Sequence, residues 1–123
     1  MATVDISDEN FREIYQKNDI VILDFWAPWC GPCHQFAPTF ESISEEFPEL
    51  VFGKINTEIE QKLAAYFSIR SIPTIMIIRE SLELFRHSGS IDSKNLKSII
   101  EKSVSLDMDD VRKKIEAEES AEN

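Results

Sequence analysis

The chain has 123 residues, enough for one domain and one hydrophobic core. Thirteen basic against 23 acidic residues leave a formal net charge of −10, the wrong field for a partner made of phosphate backbone, so nucleic-acid binding is excluded. An apolar fraction of 42% is that of a globular protein, there is no apolar run of about 18 residues to span a membrane, and Met1 to Ile6 lacks the basic-then-apolar pattern of a secretory signal.

In chain order, Thr3 to Ile6 is a short candidate strand. Ser7 or Asp8 then caps a helix with Phe11, Ile14 and Tyr15 at helical spacing. Ile20 to Trp26 is an apolar run with one carboxylate in it, Asp24, and reads as a strand buried on both faces of a sheet. After the Pro- and Cys-rich turn Ala27 to Cys33 comes a helical pattern, Phe36, Phe40, Ile43 and Phe47, with Pro38 inside it. Leu50 to Asn56 is the next strand, and Thr57 with Glu60 reads as a capping box ahead of Leu63, Ala64 and Phe67. Pro73 to Arg79 and Leu82 to Arg86 form a hairpin. Asp92 caps a last core helix, with Leu96, Ile99, Ile100 and Val104 on one face. This alternation specifies an α/β layer fold with helices on both faces of a central sheet.

The end of the chain differs in composition. Asp107 is a good N-cap, and Met108, Val111 and Ile115 share one helical face, so a further helix is expected from about Met108 to about Glu118. Its apolar stripe is narrow and predicts weak packing on the domain or on another chain. Glu116 to Asn123 is expected to fray. The organisation is therefore a domain over 1–104 and an acidic helical extension over 105–123.

Two cysteines, Cys30 and Cys33, sit where the strand ending at Trp26 hands over to a helix. The first turn of a helix offers unpaired N–H groups and partial positive charge, which favour a thiolate. Cys30 at the N-cap would expose its sulfur, and Cys33 lies one turn deeper, close enough for a disulfide. Gly31 allows close approach of another chain and Pro32 fixes φ in the first turn. The competing reading is a zinc site, which needs four ligands. Only His34 and His87 could join the thiolates, and His34, adjacent to Cys33, strains a shared tetrahedron. No metal site is expected.

The chain resembles the thioredoxin family from about Val4 to about Val104. The likeness is carried by Asp24-Phe25-Trp26-Ala27-Pro28-Trp29-Cys30-Gly31-Pro32-Cys33, by Pro38, by Lys54-Ile55-Asn56, by Ile69-Arg70-Ser71-Ile72-Pro73-Thr74 and by Gly89. It implies a five-stranded mixed sheet flanked by four helices, here with a C-terminal helical extension. It implies a protein-disulfide reductase of the cytoplasm, a monomer, cycling between dithiol and disulfide at Cys30 and Cys33. Its partners would be disulfide-containing substrate proteins and a flavin- and NADPH-dependent thioredoxin reductase, with no cofactor bound, no nucleic acid and no membrane. Cys30 would be the nucleophile and Cys33 the resolving thiol.

The resemblance also makes Asp24 a buried carboxylate beneath Cys33, able to take its proton. The alternative is a strand-end aspartate facing solvent, which its apolar neighbours disfavour. Lys54 is a possible partner for Asp24 or a snorkelling surface lysine. Pro73 opening a strand would be trans on base rates; the resemblance implies a cis bond facing the cysteines, leaving the Ile72 backbone free for an extended substrate. Trp29, Gly31, Pro32, Ile72 and Gly89 would form an apolar collar around Cys30. Trp26 and the eight phenylalanines read as packing, His34 as an exposed helix residue or one that tunes the thiols through its charge, and His87 as a surface residue.

The chain departs from the family pattern at His34, where Lys or Arg is common, and at Ser68, Ser71 and Ser81, where Gly is frequent. Ser81 falls in the hairpin turn, and Ser88 replaces a small apolar residue beside the groove. Two other functions share this frame: a disulfide oxidant or isomerase, and a binding module (holdase or processivity subunit) whose thiols are dispensable. Pro32 speaks against the oxidant, which often has His there.

Overall fold

The structure is a computed structural model and describes residues 2–122. The elements run β1 (Thr3–Asp5), α1 (Phe11–Lys17), β2 (Ile20–Trp26), α2 (Gly31–Glu46), β3 (Val51–Asn56), α3 (Gln61–Tyr66), β4 (Thr74–Arg79), β5 (Leu82–Ser88), α4 (Ser93–Ser105) and α5 (Met108–Glu122). Among the described residues they build one five-stranded sheet of order β1-β3-β2-β4-β5. The strands β1, β3 and β2 are parallel, β4 runs antiparallel to β2, and β5 antiparallel to β4. This is the mixed sheet expected.

Strand alternation sorts the core into two layers. Ile20 and Ile22 of β2, Phe52 of β3 and Ile75 and Ile77 of β4 pack with Phe36, Phe40 and Ile43 of α2 and Leu96 and Ile100 of α4. Val21, Leu23, Phe25, Ile55, Met76 and Ile78 pack on the other face with Leu63 and Phe67, joined by Phe11, Ile14 and Tyr15 of α1. All eight phenylalanines lie in these layers. Gly53 is there for space: a Cβ would collide with the Ile6 side chain, so glycine lets the chain leaving β1 lie close against β3.

Several local expectations are corrected. Helix α1 begins at Phe11, not at Asp8. Ser7 and Asn10 bond reciprocally, Ser7 N–H to Asn10 Oδ1 at 2.8 Å and Asn10 N–H to Ser7 Oγ at 3.3 Å, which closes the turn before the helix. The Thr57–Glu60 capping box does not form. Thr57 spends both its N–H and its hydroxyl on the Trp26 carbonyl, at 2.8 and 3.0 Å, and α3 starts from Glu60 with no side-chain cap. Asp92 does cap α4, accepting from Asn95 N–H at 2.8 Å. Val104, however, is exposed, and Ser103 takes the inward position, its hydroxyl bonded to the Ile99 carbonyl at 2.8 Å. Helix α2 continues across Pro38, whose missing N–H leaves the His34 carbonyl without its intrahelical donor.

The extension departs further. Asp107 caps α5, accepting from the N–H groups of Asp109 and Asp110. The helix runs on to Glu122, past the expected end at about Glu118, in a stretch rich in the good helix formers Glu and Ala. Nor is its packing only weak at the start: Met108 is buried, and Arg112 pairs with Glu80 in the β4–β5 turn. Asn123 lies outside the described residues.

Candidate active site

The parallel strand β2 ends at Trp26 and hands over, through Ala27 to Trp29, to the first turn of α2. Cys30 is the N-cap, in extended conformation, and its sulfur accepts the Cys33 N–H at 3.2 Å. The two cysteines are joined in a disulfide with their Cα atoms 5.3 Å apart. Gly31 and Pro32 are exposed in the first helical turn, where a missing proline N–H costs nothing. The expectation of an exposed Cys30 sulfur is not met in this oxidised state. Cys30 is 5% and Cys33 2% exposed, because Ala27, Trp26 and Ile72 pack around the pair.

The loop before β4 closes the other side. The Ile72–Pro73 peptide bond is cis, and the Ile72 carbonyl oxygen stands 3.8 Å from the Cys30 sulfur. The Pro73 carbonyl accepts the Gly89 N–H at 2.7 Å, which brings Gly89, at φ 101°, beside Pro73. Trp29 stands out at 72% exposed. Ile72 thus flanks the disulfide, Gly31 and Pro32 lie between its cysteines, Trp29 directly precedes Cys30, and Gly89 is tied to Pro73.

Asp24 is two residues before Trp26 and shares its face of β2 with Ile22, the face that α2 covers. It is 1% exposed, and neither carboxylate oxygen has a hydrogen-bond partner among the described residues. Burial pushes its pKa up to about 7, against the opposing pull of the Lys54 ammonium. Lys54 is the register partner of Asp24 on β3, but its Nζ lies over the Trp26 ring, 4.9 Å from the centroid. It reaches Asp24 through its field rather than through contact.

One contact was not legible as such. His34 Nε2 lies 2.6 Å from the Pro28 carbonyl oxygen, and its ring meets Trp26 edge-on, centroids 6.3 Å apart. The only sequence signal was its place four residues after Cys30, on the same helical face. His87 stacks on Phe85, away from the cysteines. Among the described residues no cluster of metal-ligating side chains is present, nor is any helix long and apolar enough to cross a membrane.

A thiol pair at a helix N-terminus is suited to thiol–disulfide exchange. The family model described as Thioredoxin matches residues 2–102. "Putative thioredoxin 2" of Streptomyces coelicolor is 46% identical over 121 residues, covering 98% of this chain and 90% of that protein, so the likeness runs through most of α5 as well. A thioredoxin of Synechocystis is 38% identical over 103 residues, 82% of this chain and 96% of that one. The solved structure of a mutant thioredoxin from Halobacterium salinarum superposes with a TM-score of 0.77 at 28% identity, over 85% of this chain and 92% of its own. With the fold, the Cys30–Cys33 pair and these relatives in agreement, the chain belongs to the thioredoxin family of thiol–disulfide oxidoreductases.

Proposed function

We propose the following division of labour for a protein-disulfide reductase built on Cys30 and Cys33. The Cys30 thiolate attacks a substrate disulfide, a Cys30–substrate bond forms, and the leaving substrate thiolate picks up a proton. Cys33 then attacks the Cys30 sulfur, the substrate's second thiolate departs, and two electrons have passed from the dithiol to the substrate. Cys30 takes the first role because its sulfur, at the helix N-cap, accepts the Cys33 N–H at 3.2 Å; the same N–H would stabilise its thiolate. That bond is the observation that carries the reading.

Asp24 takes the proton from Cys33. A buried carboxylate whose pKa is raised to about 7 is matched to proton transfer near neutrality. Lys54 moderates that shift. Trp29, Gly31, Pro32, Ile72, cis-Pro73 and Gly89 form the surface that receives the substrate chain.

The working domain is 1–104, with 105–123 an appended helix. A flavin- and NADPH-dependent thioredoxin reductase restores the dithiol, the partners are disulfide-containing proteins, and the chain acts as a cytoplasmic monomer with no bound cofactor. Family membership supports these points, and the relatives favour the reductase over a binding module with dispensable thiols. The test is reduction of a protein disulfide by the chain with NADPH and a thioredoxin reductase. The parent turns over, and Cys30→Ser and Cys33→Ser variants do not. Full turnover by the double variant would overturn the reading.

A further inference from the structure

We infer that His34 is a positioning residue of the thiol site: its imidazole holds the Pro28 carbonyl, and so fixes the lip that carries Trp29 beside Cys30. The inference rests on Cys30 being the thiol that meets substrate.

The geometry begins with the turn. The segment Ala27-Pro28-Trp29-Cys30 leaves the sheet as a tight turn in which the Cys30 N–H donates to the Ala27 carbonyl at 3.2 Å. Pro28 has no N–H, so its carbonyl is its one backbone hydrogen-bonding group. Among the described residues that carbonyl has no backbone donor; its partner is His34 Nε2 at 2.6 Å, six positions along the chain. Trp29, directly after it, is 72% exposed and has little packing to hold it. The orientation of the Pro28–Trp29 peptide therefore depends on a side chain of α2.

Helix geometry explains why residue 34 makes the bond. Side chains in a helix lean back toward its N-terminus, so a residue in the second turn overhangs the first. His34 is four residues after Cys30, and its N–H donates to the Cys30 carbonyl at 3.2 Å. Its ring is then steered by Trp26, which it meets at 73° between planes. A carbonyl only accepts, so Nε2 carries a hydrogen, and Nδ1 is the nitrogen left for solvent. Lys is common in the family at this position and would offer a donor on a flexible stem. The imidazole is short and planar and is held on its edge by Trp26, so it presents one donor in one direction. The same ring thus bridges the wall of the disulfide, Trp26, and the loop that bears Trp29.

A lip held this way matters when a protein substrate docks across Trp29 and matters little for a small disulfide that only needs the Cys30 sulfur. The experiment compares the parent with His34→Ala and His34→Gln, the latter keeping an N–H donor without the ring. Each is assayed for kcat and KM on a protein disulfide and for the rate of reduction of a small aromatic disulfide. His34→Ala should raise KM for the protein substrate about fivefold, the scale of one hydrogen bond, with kcat and the small-disulfide rate held within about twofold. His34→Gln should recover part of that loss. An unchanged KM in His34→Ala overturns the inference. So does an equal fall of both substrates' rates, because His34 would then act on the thiols themselves. Full activity of a Cys30→Ser variant would instead defeat the underlying assignment of Cys30, which separates the two failures.

Discussion

Asp24 on β2 and Lys54 on β3 are register partners on the sheet face that α2 covers, yet they form no ion pair: the lysine sits over Trp26, and both oxygens of Asp24 are buried without a partner. The carboxylate is therefore a stored cost. Its folded pKa of about 7 lies above the ordinary 3.8, so it is neutral in both states at low pH, where the fold carries no penalty. As pH rises past about 4 the unfolded chain loses that proton first, and stability falls until pH passes about 7, beyond which it is level. At about 1.4 kcal/mol per unit the whole shift corresponds to roughly 4 kcal/mol.

Asp24→Asn removes the titration but keeps a buried amide without a partner, itself a cost of about 1–3 kcal/mol. The expected net gain at pH 8 is about 1–3 kcal/mol, with stability nearly flat between pH 5 and 8, where the parent declines. Urea melts at the two pH values measure this. Turnover should fall about tenfold or more if Asp24 takes the Cys33 proton. A parent chain equally stable at pH 5 and 8 would mean that the carboxylate is not held at a raised value.

The thiol assignment predicts trapping. A Cys33→Ser chain should stay covalently attached to substrate proteins through Cys30, since the second attack is gone. Recovery of attached substrate under non-reducing electrophoresis, released by excess dithiol, checks it. A stable adduct at Cys33 in the Cys30→Ser chain, with none at Cys30 in the converse variant, would reverse the roles.

Two serines occupy backbone conformations that suit glycine. Ser81 has φ 67° in the β4–β5 turn, next to Glu80 at φ 50°, the double left-handed pattern of a hairpin turn. Ser68 has φ 55° after α3, where the Ile69 N–H reaches the Ala64 carbonyl and the Ser68 N–H the Ala65 carbonyl, closing a Schellman motif. A side chain in that region costs about 1–2 kcal/mol, and glycine returns about 0.5–1 kcal/mol of that as unfolded-state entropy. Ser68→Gly and Ser81→Gly should each stabilise by about 0.5–1 kcal/mol in urea melts. The Tyr15 hydroxyl bond to the Ser81 carbonyl is kept in the second variant. A destabilisation at either position contradicts the strain argument.

What was legible in the sequence is what the chain states locally. The apolar run of β2 and the Asp92 cap survive because each is settled within a few residues. The Thr57–Glu60 box had an equally good local signature and lost to a partner 31 residues away, the Trp26 carbonyl. Val104 looked apolar enough for the core, but a helix presents only one of two neighbours inward, and Ser103 can be buried because its hydroxyl is satisfied by Ile99. The approach of Ile72 to the Cys30 sulfur came from the family pattern, since nothing local in two separate loops states that they meet. The His34–Pro28 bond has no sequence signature beyond helical spacing, and it stayed hidden until the turn between them was placed.

The tail gives the last prediction, and here the structure changes the expected size of the effect. The narrow apolar stripe of α5 taken alone predicts that truncation after Ser105 costs little. Met108 is 5% exposed, however, and Arg112 pairs with Glu80. Arg79, whose side chain is 17% exposed, shares the two N–H groups of Nη1 among the carbonyls of Ser103, Val104 and Leu106 at 3.0, 3.0 and 2.8 Å, so it caps α4 and holds the start of the extension at once. Removing 106–123 loses the burial of Met108, about 1.5–3 kcal/mol, and one of the three Arg79 bonds, and regains the entropy of the tail. The net loss should be about 1–2 kcal/mol. Met108→Ala in the full chain should reproduce most of it, while Arg112→Ala, removing a partly exposed pair, should cost under about 1 kcal/mol. Reductase activity should stay within about twofold in all three, because α5 meets the β4–β5 turn and the end of α4, at the opposite ends of β2 and β4 from Cys30 and cis-Pro73. A truncated chain as stable as the parent would show that Met108 only rests on the domain. A truncated chain that is stable but inactive would place α5 in the catalytic unit, against the division at residue 104.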